Sequence, residues 1–334
     1  MASTQYDVLG IGNAIFDVFA RIDDGFLTAQ GMDKGSMALI DEARALKIYD
    51  AMGPATEMSG GSAANTIVGV ASLGARAAYV GKVKTDQIGN LYTHDIRAAG
   101  VAFDTQAATD GPATGCSYIL VTPDGERTMN TYLGAAQELG PADIDADAIA
   151  SAAIVYLEGY LWDPANAKEA FVKASKIAHG AKRRVALTLS DSFCVGRYRA
   201  EFLELMRSGT VDLVFANEAE LTSLYETGDF DAAIGQLRND VALGVVTRSA
   251  KGCVVADKAG VVAVPASPIA QLVDTTGAGD LFAAGFLVGL VRNPTDYQNA
   301  GKLGALAAAE VIQHIGARPQ VSLKQLAAQN GLTV

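Results

Sequence analysis

Cysteine and histidine are scarce in this chain, with three of each in 334 residues. Cys116, Cys194 and Cys253 lie far apart with no Cys-x-x-Cys pair, and His94, His179 and His314 add no ligand spacing. That excludes a zinc or haem motif and a disulfide framework; buried reduced thiols in a cytosolic protein are the simplest reading. A basic excess is also missing. Lys and Arg number 26 against 37 Asp and Glu, a formal net charge of −11. No surplus of cations is available to displace the counterions of a polyanion, so nucleic acid is excluded as a partner. Small anions stay open to the chain, because backbone donors can hold them locally. Long apolar runs are lacking too: Leu281–Val291 is shorter than the roughly 20 residues of a membrane helix. Met1–Asp7 has neither a basic start nor an apolar run, so no secretory signal and no membrane partner are expected. The expectation is a soluble, cytoplasmic protein.

What is present is a globular composition, 50% hydrophobic and 19% charged, in a chain long enough for a large core without staples. From about residue 142, short β-rich runs (154–157, 185–189, 213–216, 243–247) alternate with helical segments (164–179, 199–208, 218–238). Such alternation predicts a parallel sheet covered on both faces, to which a strand at Tyr6–Ile11 and a helix at Ser62–Leu73 conform. Two segments depart from it. Phe16–Ile40 and Cys116–Tyr132 read as extended pieces, the second folded back as a hairpin at Pro123-Asp124-Gly125. The predicted organisation is an α/β core (1–15, 41–111 and 133–334) carrying a small β-rich lid (16–40 and 112–132).

The most informative stretch is Asp274-Thr275-Thr276-Gly277-Ala278-Gly279-Asp280, followed by an apolar, helix-forming run to Arg292. Small residues at the start of a buried helix leave several backbone N–H groups aimed at one spot, and the helix dipole adds positive charge: an anion site without a cationic side chain. Asp280, in the first turn beside that site, is placed to take a proton from an attacking hydroxyl. A Gly-x-Gly-Asp turn alone reads equally well as a turn with a favourable first-turn charge; the whole string and its helix are more specific. Other phosphate motifs fail. Gly81-Lys82 and Gly301-Lys302 lack the Ser or Thr of a Walker loop, and Gly10-Ile11-Gly12 is followed by Ile15 where a dinucleotide fingerprint has its third glycine.

The 274–280 string resembles the C-terminal signature of the ribokinase/PfkB family of carbohydrate and nucleoside kinases. Gly60-Gly61-Ser62-Ala63-Ala64-Asn65, with Leu73-Gly74, Gly81 and Asp86 to Gly89 downstream, is similar to the family's other signature. Asn217-Glu218-Ala219-Glu220 is similar to its Asn-x-x-Glu element. The matches run in family order along nearly the whole chain. Gly12-Asn13-Ala14-Ile15-Phe16-Asp17, Thr114-Gly115-Cys116, Glu158-Gly159-Tyr160-Leu161 and Thr188-Leu189-Ser190 look most like the members that phosphorylate adenosine.

The resemblance implies a three-layer αβα ribokinase-like fold with a mostly parallel central sheet and a small β-rich lid. It implies an ATP- and Mg²⁺-dependent kinase acting on the 5′-hydroxyl of a ribonucleoside, adenosine foremost. Asp280 is then the base, the N–H groups of Gly277, Ala278 and Gly279 the anion hole, and Arg127 the lid arginine over the transferring phosphate. Asn13, Asp17, Gly61, Ser62 and Asn65 are expected around the acceptor's ribose, and Ile15, Met37, Met129, Tyr160 and Leu161 around its base. Thr247, Gly252, Thr275, Gly277, Gly279, Ala305 and Ala308 are expected at ATP, with Asn217 and Glu220 organising Mg²⁺ through its water. Taken singly, several of these read otherwise: Asp17 as a strand-end carboxylate, Asn65 as a capping or core amide, Arg127 as a solvated charge, the apolar residues as core. The chain departs from the family where a Thr-x-Gly-like element is usual, reading Thr247-Arg248-Ser249. A kinase for ribose or fructose, a kinase for inosine or guanosine, and a non-catalytic nucleoside sensor are the alternatives. A small-molecule acceptor is expected as partner, in a monomer or homodimer.

Overall fold

The structure, a computed structural model, describes residues 4–334; residues 1–3 of the expected core segment 1–15 lie outside the described residues. The strands are β1 Tyr6–Ile11, β2 Ile15–Arg21, β3 Met37–Leu39, β4 Ala55–Gly60, β5 Ala77–Val80, β6 Val101–Ala102, β7 Gly115–Val121, β8 Arg127–Tyr132, β9 Ala152–Glu158, β10 Arg184–Thr188, β11 Leu213–Asn217, β12 Leu243–Thr247, β13 Cys253–Asp257 and β14 Val261–Val264. The helices are α1 Asp24–Gln30, α2 Glu42–Ala51, α3 Ser62–Ser72, α4 Gln87–Ala98, α5 Ala146–Ala150, α6 Ala165–Gly180, α7 Ser192–Arg207, α8 Glu218–Leu224, α9 Phe230–Asp240, α10 Ala278–Arg292, α11 Tyr297–Val311 and α12 Leu323–Gln329.

Among the described residues the strands form two sheets: a nine-stranded one in the order β14-β13-β12-β11-β10-β9-β1-β5-β6, and a five-stranded one in the order β3-β8-β7-β2-β4. Seven strands of the large sheet, β12 to β6, run parallel, and β13 and β14 add an antiparallel edge. The parallel strands read as unbroken apolar runs because both faces are covered. In β9, Ile154 and Tyr156 enter the core under α3, α10 and α11, while Val155 and Leu157 enter the one under α5 to α9. Helix α10 is apolar all round, and every residue from Leu281 to Leu290 is buried. It packs against α3 and α11 as well as the sheet, so each of its large side chains contributes about 2 kcal/mol of burial. No helix among the described residues is long and apolar enough to cross a membrane. The three cysteines are free and buried.

The three-layer core, the mostly parallel sheet and the second, smaller sheet are as expected. Three local expectations differ. The segment 218–238 is two helices, α8 and α9, because Glu226 turns into a positive-φ conformation and Asp229 caps a new helix start. The segment 16–40 is not extended throughout: α1 interrupts it, capped by Asp23 and closed by Gly31 at φ 62°. Ala55–Gly60, expected in the core stretch 41–111, pairs along its length with β2 in the smaller sheet. The C-terminal end of that strand therefore carries Gly60 from the lid straight into α3 of the core.

Candidate active site

In an open parallel sheet, functional side chains gather beyond the carboxyl ends of the strands. Asn13 follows β1, Glu158 ends β9, Asn217 ends β11 and Thr247 ends β12. The bend that starts α10 faces the same region, because Asp280 is bonded to the first turn of α3. Ser62 Oγ donates to Asp280 Oδ1 at 2.6 Å, and Asn65 Nδ2 donates to Oδ2 at 3.1 Å. The two signature strings, more than 200 residues apart in sequence, thus meet at one carboxylate.

The bend is set by Gly277, the N-cap of α10, at φ 74°. A Cβ there would stand 2.8 Å from the Cα of Ala317, so only glycine both turns this way and admits the neighbouring chain. No side chain caps the helix. The Ala278 N–H turns back to Thr275 O at 3.2 Å, which takes it out of the expected anion hole. The N–H groups of Gly277, Gly279 and Asp280 have no acceptor among the described residues. The start of this 15-residue helix therefore leaves three backbone donors open, an arrangement suited to an anion. Thr275 at its rim is exposed.

Asp274 fixes the other end of the bend. Its Oδ1 accepts from Thr276 N at 2.8 Å and Thr276 Oγ1 at 2.7 Å, and its Oδ2 accepts from Gly316 N at 3.0 Å. Arg127, expected over a transferring phosphate, is ion-paired with this carboxylate at 2.7 Å. The lid strand β8 is thereby joined directly to the motif.

Desolvation pushes the Asp280 carboxyl up to about 6, against the hydrogen bonds from Ser62 and Asn65 and the charge of Arg318, which pull it down. It remains mostly ionised at neutral pH and close enough to it to accept a proton. Asp17 on β2 is 8% exposed and has no hydrogen-bond donor among the described residues. Burial and the nearby Asp280 push it up to about 7, with Arg318 opposing. Asn65 Oδ1 is likewise buried without a partner. Buried polar groups are normally satisfied, so these two acceptors mark a place for hydroxyl donors. Gly61, at φ 97°, lets the chain pass where any Cβ would collide with the carbonyl of Asn13.

Sheet register organises the lid face that carries Asp17. Asp17 lies beside Ser117, and Ser117 opposite Thr131, with the two hydroxyls 2.8 Å apart. The next row on that face is Phe19, Ile119, Met129 and Met37. Of the expected base-pocket residues, Met129 packs with Phe19 and Ile119, Met37 is exposed, Ile15 is buried, and Tyr160 is 38% exposed with its hydroxyl donating to Ser190 O. Leu161 does not line a cleft: it is fully buried in the core under α5 to α9 with Trp162. An open groove of about 390 Å³ lies beside Phe19, Arg21, Thr56, Met58 and Val121 of the lid strands and Gly316 of the core; none of the expected acceptor or catalytic residues lines it.

Two residues of the site carried no assigned role in the sequence. Glu158 accepts from Asn13 N at 3.3 Å, Asn13 Nδ2 at 2.7 Å and Ala63 N at 2.8 Å, which locks the end of β1 to the start of α3. Burial raises it to about 7. Arg318, in the loop after α11, is half-buried and reaches Ser59 and Ala64. Nothing in its spacing marks it, since its partners are some 250 residues away.

On the opposite side, Asn217 and Glu220 form a capping box: Asn217 Oδ1 accepts from Glu220 N at 2.8 Å and Glu220 Oε2 from Asn217 N at 3.0 Å. Asn217 Nδ2 also donates to Glu220 Oε1 at 2.5 Å, and burial raises the glutamate to about 7. The pair starts a helix and offers a metal no direct shell; no cluster of three or more His, Cys, Asp or Glu among the described residues could hold one. Thr247 is half-buried, and Ser249 takes the left-handed conformation (φ 51°) that the missing glycine would have taken freely. Gly252 follows at φ 83°. Ala305 is buried and Ala308 half-buried on α11.

With this geometry in view, comparison with known proteins is direct. Residues 52–324 match the pattern described as pfkB family carbohydrate kinase. The chain is 57% identical to an adenosine kinase from Sinorhizobium meliloti of known structure, with a TM-score of 0.91 over 98% of this chain and 99% of that one. It is 53% identical to a probable sugar kinase protein from Rhizobium etli CFN 42, with a TM-score of 0.92 over 99% and 100%. It is also 28% identical to Adenosine kinase 2 of Arabidopsis thaliana over 94% of this chain and 96% of that protein.

Proposed function

Because this chain belongs to the pfkB family of carbohydrate kinases, we infer that it transfers the γ-phosphoryl group of ATP to the 5′-hydroxyl of a ribonucleoside, adenosine in the first place. The observation that carries the reading is the constellation of buried Asp17 and Asn65 beside half-buried Asp280: a carboxylate without a donor and an amide oxygen without a partner next to a carboxyl raised to about 6. A ribose brings the missing donors. Its 2′- and 3′-hydroxyls satisfy Asp17, Asn65 joins them, and the Asn13 amide is held ready by Glu158. The likeness to an adenosine kinase over nearly the whole chain supports a nucleoside as acceptor.

In this mechanism Asp280 accepts the proton as the 5′-oxygen attacks phosphorus. The open N–H groups of Gly277, Gly279 and Asp280 take up charge on the transferring group, in a cleft that the lid shields from water. These three donors at a helix N-terminus fit the phosphates of ATP. Thr247, Gly252, Thr275, Ala305 and Ala308 border the nucleotide, and Arg127 exchanges Asp274 for the phosphate as ATP enters. Mg²⁺, when bound with ATP, neutralises phosphate charge. With their polar atoms engaged in the capping box, Asn217 and Glu220 reach it only through its water, in keeping with an ion that keeps most of its hydration.

The reading is tested by ADP release with adenosine, inosine, guanosine, ribose and fructose at equal concentration. Adenosine is expected to give the highest kcat/KM; a preference for a free sugar overturns the nucleoside assignment.

A further inference from the structure

The tripeptide Gly316-Ala317-Arg318 touches both the α10 bend and the acceptor turn. Gly316 N binds Asp274 at 3.0 Å, and Ala317 packs against Gly277 at the α10 bend. Arg318 crosses to the acceptor side: its Nη2 donates to the carbonyl of Ser59 and, at 3.0 Å, to its hydroxyl, while Nη1 lies 3.4 Å from Ala64 O. Ser59 is itself anchored by Asp95 Oδ2, which accepts from its N–H at 2.8 Å and its hydroxyl at 2.6 Å. Ser59 and Ala64 bracket the Gly60-Gly61-Ser62 turn. One guanidinium thus fixes the acceptor turn relative to the bend that holds the phosphoryl group.

We propose that Arg318 is the positioning residue of the phosphoryl-transfer site, tying the β4–α3 turn to the α10 bend and setting one positive charge against two carboxylates, the buried Asp17 and the half-buried Asp280. The inference rests on the kinase reading of Asp280. Its planar fork suits two carbonyls and a hydroxyl at once, which a lysine cannot match. Its charge lowers both carboxyls against the desolvation that raises them. The other titratable groups facing them are Glu158 and Tyr156 of β9, Tyr160, Tyr92 of α4 and Cys116 of β7, all acidic. No second cation acts on either aspartate among the described residues.

The test compares wild type, Arg318→Met, Arg318→Lys and Asp280→Asn in kcat and kcat/KM for the nucleoside between pH 5 and 9, with melting curves as a control of folding. In Arg318→Met the acid limb of kcat/KM moves up by about 1 pH unit, so activity at pH 5.5 falls about tenfold further than at pH 8.5. The limb belongs to the coupled carboxylates together. KM for ATP stays within about twofold. Arg318→Lys keeps the limb in place but loses kcat/KM at every pH, since it retains charge and lacks the fork. An unmoved limb in Arg318→Met, or wild-type kinetics in Arg318→Lys, overturns the proposal; should the methionine variant not fold, the lysine variant decides alone. If Asp280→Asn keeps near-normal turnover, the base assignment of Asp280 fails and this inference with it; if the wild type itself phosphorylates no nucleoside, the proposed function fails. If Asp280→Asn is inactive while the Arg318 variants behave as wild type, this inference alone fails.

Discussion

Asp17→Asn in the ligand-free protein is expected to stabilise the fold while disabling acceptor binding. Asp17 is 8% exposed without a donor, and its carboxyl is raised from its ordinary 3.8 to about 7. The folded chain binds that proton more tightly than the unfolded one. Ionising Asp17 therefore costs the folded state above pH 7, and the cost fades as pH falls from about 7 to about 4. At about 1.4 kcal/mol per pH unit the full cost is about 4 kcal/mol. An asparagine does not carry it, but it leaves two amide donors unpaired, which takes back about 1–3 kcal/mol. A net gain of about 1–3 kcal/mol at pH 8 follows, which raises the melting temperature by several degrees in a chain of this size. At pH 4, where wild-type Asp17 is protonated in the folded state, that gain is gone and only the cost of the unpaired amide is left, so the variant is expected to melt at or below wild type. Saturating adenosine, at about a hundred times its dissociation constant, stabilises wild type by about 2.7 kcal/mol and the variant far less. Thermal melts at pH 4, 6 and 8, with and without adenosine, test all of this. A variant that melts below wild type at pH 8 without nucleoside, or keeps the full nucleoside shift, refutes the reasoning.

Asp280→Asn is expected to keep the fold and ATP binding while turnover falls at least about a hundredfold; near-normal turnover in a steady-state assay removes the base assignment. Gly61→Ala puts a Cβ against the Asn13 carbonyl at a φ of 97° and should cost about 2 kcal/mol or more, read by urea denaturation alongside a raised nucleoside KM. Ser249→Gly relieves a left-handed serine and is expected to be neutral or stabilising by up to about 1 kcal/mol with little change in KM for ATP; a destabilised variant would mean that the serine side chain holds the loop.

Legibility in the sequence followed the range of the forces involved. The parallel strands were visible because burial on both faces writes unbroken Val, Ile and Leu runs, and α10 because it is apolar throughout. The break between α8 and α9 was also written locally, in Gly228 and the Asp229 cap, as was α1 in its Asp23 and Gly31 ends, but helix formers on both sides masked the first and short length the second. The pairing of β4 with the lid was not written at all, since an exposed Ala-Thr-Glu-Met stretch carries no mark of the sheet it joins. Arg127 could be placed on the hairpin but not at Asp274, whose partner is chosen by where the lid settles.

By itself the sequence determined the local devices: a glycine bend that opens a helix N-terminus, a carboxylate in the turn that follows, a capping box at Asn217, and the order in which they occur. Backbone conformation and helix propensity act over a few residues, so a few residues suffice to specify them. Only the tertiary structure decided that Ser62 and Asn65 grip Asp280, that Glu158 clamps β1 to α3, and that Arg318 faces Asp17 and Asp280. Those relations join residues up to some 250 positions apart, and the raised carboxyls arise from the desolvation that packing imposes on them.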